Sequence, residues 1–283
     1  MTDPFISGAV AVITGAASGI GRAAALLGAR KGMRLVLADA DADKLARTQA
    51  EIAAIAGVDN VRAVHLDVAD AKAMAALAAD IAAQWEAPAL LMNNAAAFVR
   101  GGPGGVLDPV ENWRRVFDVN VFGVVNGVAA FLPSMLASGK PGVIINTGSK
   151  QGLTNPPGNP AYNTSKAAVN AYTQNLAHDL RNRDGGKISA HLLVPGWTTT
   201  GEAEHRPGAW LPEQVIDYMV EGLERDAFFI ICPDDETSSE MDRKRVLWNA
   251  LDIVYGRPAL SRWHKDFKDG FAAFMKRDLP TDL

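Results

Sequence analysis

The chain has 283 residues, with 28 Lys and Arg against 32 Asp and Glu, and a formal charge of −4. That balance leaves no electrostatic footprint for nucleic acid or an anionic membrane surface, while 48% hydrophobic residues are enough for a sizeable core. The one cysteine, Cys232, excludes an internal disulfide and a thiolate zinc site.

The N-terminal Met1-Thr-Asp-Pro-Phe has neither a basic region nor an apolar one, so no secretory signal is read and a cytoplasmic protein is expected. The first predicted strand is Ala9–Thr14, followed by Thr14-Gly-Ala-Ala-Ser-Gly-Ile-Gly21 and a helical pattern over Ile20–Lys31. Gly15, Gly19 and Gly21 allow a tight turn, and with Ser18 and Ile20 they bring backbone close to a pyrophosphate at the positive end of the helix. A glycine-rich turn opening a helix straight after a strand points to dinucleotide binding rather than to a plain turn. The second strand is Arg34–Ala38. Asp39 follows Gly21 by eighteen residues, the spacing at which a carboxylate reaches the adenosine ribose hydroxyls. It would repel a 2′-phosphate, and neither Ser18 nor Ala40 is basic, which favours NAD over NADP. The bland alternative makes Asp39 a cap for the helix Asp41–Ala56.

The pattern then continues with strand Ala63–Leu66, helix Ala71–Trp85, strand Leu90–Asn93, helix Asp108–Leu136, strand Gly142–Thr147, helix Ala161–Arg183 and strand Ile188–Val194. Strand alternating with helix implies a parallel sheet with right-handed crossovers, and the near-continuous apolar strands imply burial on both faces. Apolar stretches such as Val121–Leu132 fall short of the roughly 20 residues that cross a bilayer. Thr198–Leu211 reads as a mobile surface loop, before helix Pro212–Arg225, strand Phe228–Cys232 and helix Ser238–Val254. The end, Arg257–Leu283, is amphipathic and packs on its own domain or on a neighbouring subunit. No repeat or linker divides the chain. One domain over 1–283 is expected, with a substrate loop at about 197–225 and a C-terminal extension at about 233–283.

Two residues on the helix Ala161–Arg183 suggest chemistry. Tyr162 and Lys166 are four apart and share one helix face. A tyrosine pKa near ~10 is too high for an efficient neutral-pH base, but an ammonium at ~4 Å would lower it by up to roughly three units. Ser149, at the end of strand Gly142–Thr147, could steady a developing negative charge on a substrate oxygen. Lys150, directly after it, points either away from the site or toward an acidic substrate. His178, His191 and His205 have no metal-like spacing, so no metal is expected.

The ordered set of motifs resembles the short-chain dehydrogenase/reductase family over roughly residues 8–200. The Thr14–Gly21 turn has its TGxxxGxG spacing, and His65-Leu-Asp67-Val68 ends the third strand. Asn93-Asn94-Ala95-Ala96 resembles NNAG with alanine in the last place, and Tyr162-Asn-Thr-Ser-Lys166 is the YxxxK pair, thirteen residues after Ser149. Pro195-Gly196-Trp-Thr198-Thr-Thr200 resembles the PG motif. The resemblance implies an α/β fold: a Rossmann-type, doubly wound domain with a mainly parallel seven-stranded sheet in the order 3-2-1-4-5-6-7. Here it carries a helical C-terminal extension.

It also implies that Asp67, Val68, Asn94, Ala95, Pro195, Gly196, Thr198 and Thr200 join Tyr162 and Lys166 in binding the cofactor. Asn120 would hold a water behind Lys166, in a catalytic set with Ser149 and Tyr162. The activity implied is NAD-dependent interconversion of a secondary alcohol and a ketone, with Tyr162 as acid and base. The alternatives are an NADPH-dependent carbonyl reductase on the same fold and a non-catalytic nucleotide sensor or scaffold. The substrate wall should come from Ala97–Gly105, Gln151–Pro157 and Trp197–Leu211. Phe98, Leu153, Trp197 and Trp210 make it apolar, among Arg100, Glu202, Glu204 and Arg206, which fits a hydrophobic small molecule. A homodimer or homotetramer is the family's common state.

Overall fold

Strands β1 (Val10–Thr14), β2 (Arg34–Asp39), β3 (Val61–His65), β4 (Leu90–Asn93), β5 (Gly142–Thr147), β6 (Ile188–Val194) and β7 (Phe229–Ile231) form one parallel sheet in the order β3-β2-β1-β4-β5-β6-β7. These coordinates come from a computed structural model that describes residues 4–98, 105–200 and 204–279. The helices are α1 (Gly19–Arg30), α2 (Ala42–Ala56), α3 (Ala71–Gln84), α4 (Val110–Phe117), α5 (Gly123–Ser138), α6 (Lys150–Thr154), α7 (Pro160–Arg181), α8 (Pro212–Glu224), α9 (Ser239–Val254) and α10 (Lys268–Met275). The doubly wound arrangement and its strand order agree with the sequence expectation.

Side-chain alternation along each strand divides the core in two. Ala11, Ile13, Leu35, Leu37, Met92 and Ile145 face one side, where α1 and α8 supply Ala24, Ile216 and Met219. Val10, Val12, Val36, Leu91 and Ile144 face the other, against Met74, Val128, Phe131 and Leu180. All five residues of β1 and all six of β5 are buried, as two-sided coverage requires. β1 pairs with both β2 and β4, through Ile13↔Leu37 and Ile13↔Met92. Strand order therefore reverses there, and a crevice opens beyond the carboxyl ends of the strands, where open α/β sheets bind ligands.

Boundaries differ from the sequence expectation where backbone pairing outruns the apolar run. β3 begins at Val61, not Ala63, because Val61 continues the register opposite Leu35. The helix expected over Asp108–Leu136 begins at Val110 and is broken by a π turn, Asp118–Phe122. The whole run from Val110 to Ser138 is 29 residues, with a mean hydropathy of 1.7 in its most apolar window. By length and composition it is enough to cross a bilayer, which corrects the reading of Val121–Leu132 as too short. A third of that window is buried in the fold; Val124, Val128, Phe131 and Met135 of α5 are among its buried side chains.

The tail packs on its own chain. Trp248 of α9 donates to Ser261 Oγ at 2.8 Å, and Ser261 N donates to Asp252 Oδ2 at 3.0 Å. Phe271 and Phe274 of α10 meet the Trp248 ring edge-on, with centroids 5.3 and 5.2 Å away.

Candidate active site

A cavity of about 450 Å3 follows the carboxyl ends of the strands, with Asp39, Asp67 and Arg115 at one end and Ser149, Tyr162 and Lys166 at the other. The glycine-rich turn forms its floor. Gly15 has φ +65°, and a Cβ there would lie 2.8 Å from the Cα of Ala95; a Cβ on Gly21 would lie 2.2 Å from the Gly15 carbonyl oxygen. Gly21 does not line the cavity. Its place is structural, allowing α1 to start hard against the turn. Ser18, the N-cap of α1, makes no side-chain capping bond, so the helix start keeps N–H groups without a side-chain cap. Every other sequence-assigned cofactor residue lines the cavity.

Asp39 is not the cap of α2. Asp41 fills that place, accepting from Lys44 N at 3.0 Å. The Asp39 carboxylate instead accepts from Ala17 N and Asp41 N, both at 2.9 Å, which fixes its plane and leaves each oxygen a further lone pair. Asn94 ties three strand ends together: its amide donates to the Thr14 and Gly15 carbonyls at 3.2 and 3.3 Å, and its Oδ1 accepts from Thr147 Oγ1 at 3.3 Å. Ala95 N donates to Thr14 Oγ1 at 3.2 Å.

Among the lining residues that sequence reasoning did not assign, two are cations, Lys44 and Arg115. Lys44 pairs with Asp41 at 2.9 Å, an i,i+3 spacing that was legible. Arg115 pairs with Asp67 at 2.8 Å across a long stretch of chain, and no local pattern announces it. Burial raises the Asp67 carboxyl, but the Arg115 bond and the Ala69 N–H outweigh it, and its pKa ends below the usual value.

At the other end, Ser149 caps α6, its Oγ accepting from Gln151 N at 3.2 Å. That contact uses an oxygen lone pair, so the hydroxyl proton is available to Tyr162, with which Ser149 is hydrogen-bonded. Tyr162 is buried, and burial pushes its phenol up to about 12, partly offset by Ser149. Lys166 is also buried; its Nζ donates to the Thr147 carbonyl at 2.7 Å and lies 5.7 Å from the Tyr162 ring centroid. Burial lowers Lys166 to about 8. The expectation that Lys166 brings the phenol below its ordinary value is therefore not met: burial raises it, and Ser149 is the group that offsets burial. Phe98 stacks on Tyr162, with centroids 4.2 Å apart and planes 21° from parallel.

Asn120 lies in the π turn, fully buried, and does not line the cavity. Its Oδ1 accepts from Ala97 N at 2.7 Å, and its Nδ2 donates to Ala97 O at 3.2 Å and Ser165 Oγ at 3.0 Å. Those bonds tie the side-chain amide to the turn after β4 and to α7. Lys150 points away from the cavity into Asp234 and Asp242. His191 is held between Ala227 O and Ser189 Oγ, at 2.9 and 2.8 Å. Among the described residues no group of three His, Cys, Asp or Glu could hold a metal.

The expected mobile loop is pinned at both ends, Trp210 N donating to Trp197 O at 2.8 Å and Thr199 N to Trp210 O at 2.9 Å. Arg100 and Glu202 of the expected substrate wall lie outside the described residues.

Residues 9–208 match the family described as short chain dehydrogenase. The protein SadH of Mycobacterium tuberculosis is 42% identical over 175 residues, 61% of each chain, so the match spans less than two thirds of that relative. A 1-deoxy-11-beta-hydroxypentalenate dehydrogenase of Streptomyces exfoliatus is 31% identical over 264 residues, 89% of this chain and 93% of that one. Among solved structures, a short chain dehydrogenase/reductase from Burkholderia phymatum in complex with NAD superposes with a TM-score of 0.80. It is 34% identical, covering 91% of this chain and 98% of its own.

Proposed function

This chain belongs to the short-chain dehydrogenase family, and on that premise we propose that it is an NAD-dependent oxidoreductase interconverting a secondary alcohol and a ketone. The observation that carries the reading is the convergence of Ser149, Tyr162 and Lys166 at one end of a cavity whose other end presents Asp39. The cradle fits a dinucleotide: side chains at Gly15 and Gly21 would collide with backbone, and the braced Asp39 carboxylate suits ribose hydroxyls better than a 2′-phosphate.

Residues lining the cavity would hold a dinucleotide with its nicotinamide toward Ser149 and Tyr162, where the oxidised form would supply a hydride acceptor and a positive charge. Tyr162 takes the alcohol proton in oxidation and returns it in reduction. Ser149 offers its hydroxyl proton to the substrate oxygen as charge develops. Lys166, with a pKa of about 8, is mostly protonated at neutral pH, and its charge favours the phenolate that burial alone disfavours. Asn120 sets the wall, through Ala97, against the helix that carries Tyr162.

At the mouth Phe98, stacked on Tyr162, presents an apolar face and is 55% exposed. That apolar face supports a hydrophobic substrate.

The test is a screen of secondary alcohols with NAD and NADP, and of ketones with the reduced cofactors, read by nicotinamide absorbance. Turnover with NAD that disappears in Tyr162→Phe supports the proposal. A preference for NADP in the unaltered chain overturns the cofactor assignment. A chain that binds NAD but whose activities are all unchanged in Tyr162→Phe is not the proposed enzyme.

A further inference from the structure

The residue after Ser149 is the centre of a buried ionic cluster that the family motifs do not include. Lys150 Nζ lies 2.9 Å from Asp234 Oδ2 and 2.7 Å from Asp242 Oδ2, with side chains only 17%, 5% and 6% exposed. The same Asp234 oxygen accepts from Trp197 N at 3.0 Å. One carboxylate therefore joins the Ser149–Lys150 turn to the Pro195–Trp197 turn. Packing between them is direct: a Cβ on Gly196 would lie 2.6 Å from Asp234 Oδ2 and 2.9 Å from Lys150 Nζ.

The chain after β7 reaches the substrate loop a second time. Asp235 Oδ1 accepts from Trp210 Nε1 at 3.0 Å, and Asp235 N donates to Gly208 O at 3.1 Å. Asp242 comes from α9, where Arg245 reaches it at 3.9 Å and also donates to Thr237 Oγ1 at 3.2 Å. With Arg245 and Arg262 included, two carboxylates face three cations, so both carboxylates are compensated.

Buried ion pairs of this kind add little to stability compared with apolar side chains of the same volume. Their directional bonds fix relative placement, and here the parts placed are Ser149, which touches Tyr162, and Pro195 and Gly196, which line the cavity beside it. We propose that Lys150, acting through Asp234 and Asp242, is a positioning residue that aligns the Ser149 and Pro195–Trp197 turns, making the segment beyond β7 part of the framework for the nicotinamide end of the cavity. This rests on the dinucleotide reading above. Among the described residues, the cluster's ion pairs and hydrogen bonds go to the Ser149–Lys150 turn, the Pro195–Trp197 turn and α9, not to α1, β2 or β3 of the adenosine end, so the two ends should respond differently when it is broken.

The experiment measures the affinity of the full chain for NADH and for ADP-ribose, which lacks the nicotinamide, by calorimetry. Lys150→Met/Asp242→Asn removes a cation and an anion together. NADH binding is expected to weaken at least tenfold with a matching fall in kcat, while ADP-ribose binding stays within twofold and Lys150→Arg restores most of the difference. Asp234→Asn, which keeps the side chain's shape, is the second variant, expected to weaken NADH selectively by about threefold, and it decides the question if the double variant does not fold. Equal weakening of both ligands, or no weakening of either, overturns the positioning role while leaving the dinucleotide reading intact. An unaltered chain that binds neither ligand overturns both.

Discussion

Replacing Lys166 with Met should leave the fold as stable as before or more stable at pH 7, although the position is almost wholly buried. Unfolded, the ammonium titrates near 10.5; folded, burial brings it to about 8. Between those values the unfolded chain binds more protons, so stability rises with pH, and below the folded value the full penalty persists. At about 1.4 kcal/mol per unit, the penalty at pH 7 is roughly 3 kcal/mol. The Met variant removes it but strands the Thr147 carbonyl, which now accepts from Nζ at 2.7 Å, at a cost of about 1–3 kcal/mol. The net change lies between about zero and 2 kcal/mol in favour of the variant.

The pH dependence is the sharper signature. Raising the pH from 7 to 9 relieves the wild-type chain of about 1 kcal/mol that the variant never carried, so the variant's margin shrinks by that amount. Tyr162 and Cys232 are both pushed up to about 12 by burial. They lose stability only as the pH approaches and passes their unfolded values, and they do so in both proteins, so they largely cancel. Urea unfolding of both chains at the two pH values measures the margin. A margin that is unchanged or larger at pH 9 would refute the account of Lys166 as a desolvated cation.

Tyr162→Phe should lower kcat by about a hundredfold or more, the usual scale for a lost acid–base group, with NADH affinity altered only a few-fold in a fluorescence titration. Asp39→Ser removes an anion that lies beside Lys44 on the cavity wall. The ratio of kcat/KM for NADP over NAD should rise by roughly tenfold for each charge-assisted ribose bond lost, read by steady-state kinetics with both cofactors. Gly21→Ala puts a methyl group 2.2 Å from the Gly15 carbonyl oxygen. It should cost about 1–3 kcal/mol of stability and weaken NADH binding, measured by thermal melting and titration.

The sheet was legible because its signal is local and redundant. Each strand is an apolar run bounded by a turn, and parallel connectivity leaves few ways to wind seven of them. Motifs fixed by short spacing were equally legible: Gly15, Asp39, Ser149 and Tyr162 all line the cavity. What could not be read depends on pairs far apart in the chain. Arg115 meets Asp67, Lys150 meets Asp234 and Asp242, and Asn120 turns its amide to Ala97 and Ser165. In each case the residue type was visible and its partner was not. The π turn that carries Asn120 escaped notice for a related reason. Its one-residue widening leaves the apolar pattern of the flanking helices almost unchanged, so periodicity reports one helix where the backbone makes two.

Tyr162 and Lys166 share a physical conflict that accounts for the surrounding architecture. Burial penalises both charged forms at once, raising the phenol and lowering the ammonium, so the phenol alone is not poised for proton exchange at neutral pH. Only opposite charges close to both, in the same dry space, can reverse that, and a low-dielectric setting strengthens such charges as much as it penalises isolated ones. A site of this kind gains reactivity when its ligands are seated and has little before. The seating therefore must be accurate at both ends of the cavity. The adenosine end meets this with glycines and a braced carboxylate. The chemical end lies where strands stop and loops begin, and it needs ties from outside the sheet: Asn94 across β1, β4 and β5, Asn120 between Ala97 and α7, and Asp234 between two turns. Loosening Asn120 or Asp234 should leave binding of the adenosine half in place and impair the chemistry first, whereas Asn94, which also holds the glycine turn, should affect both.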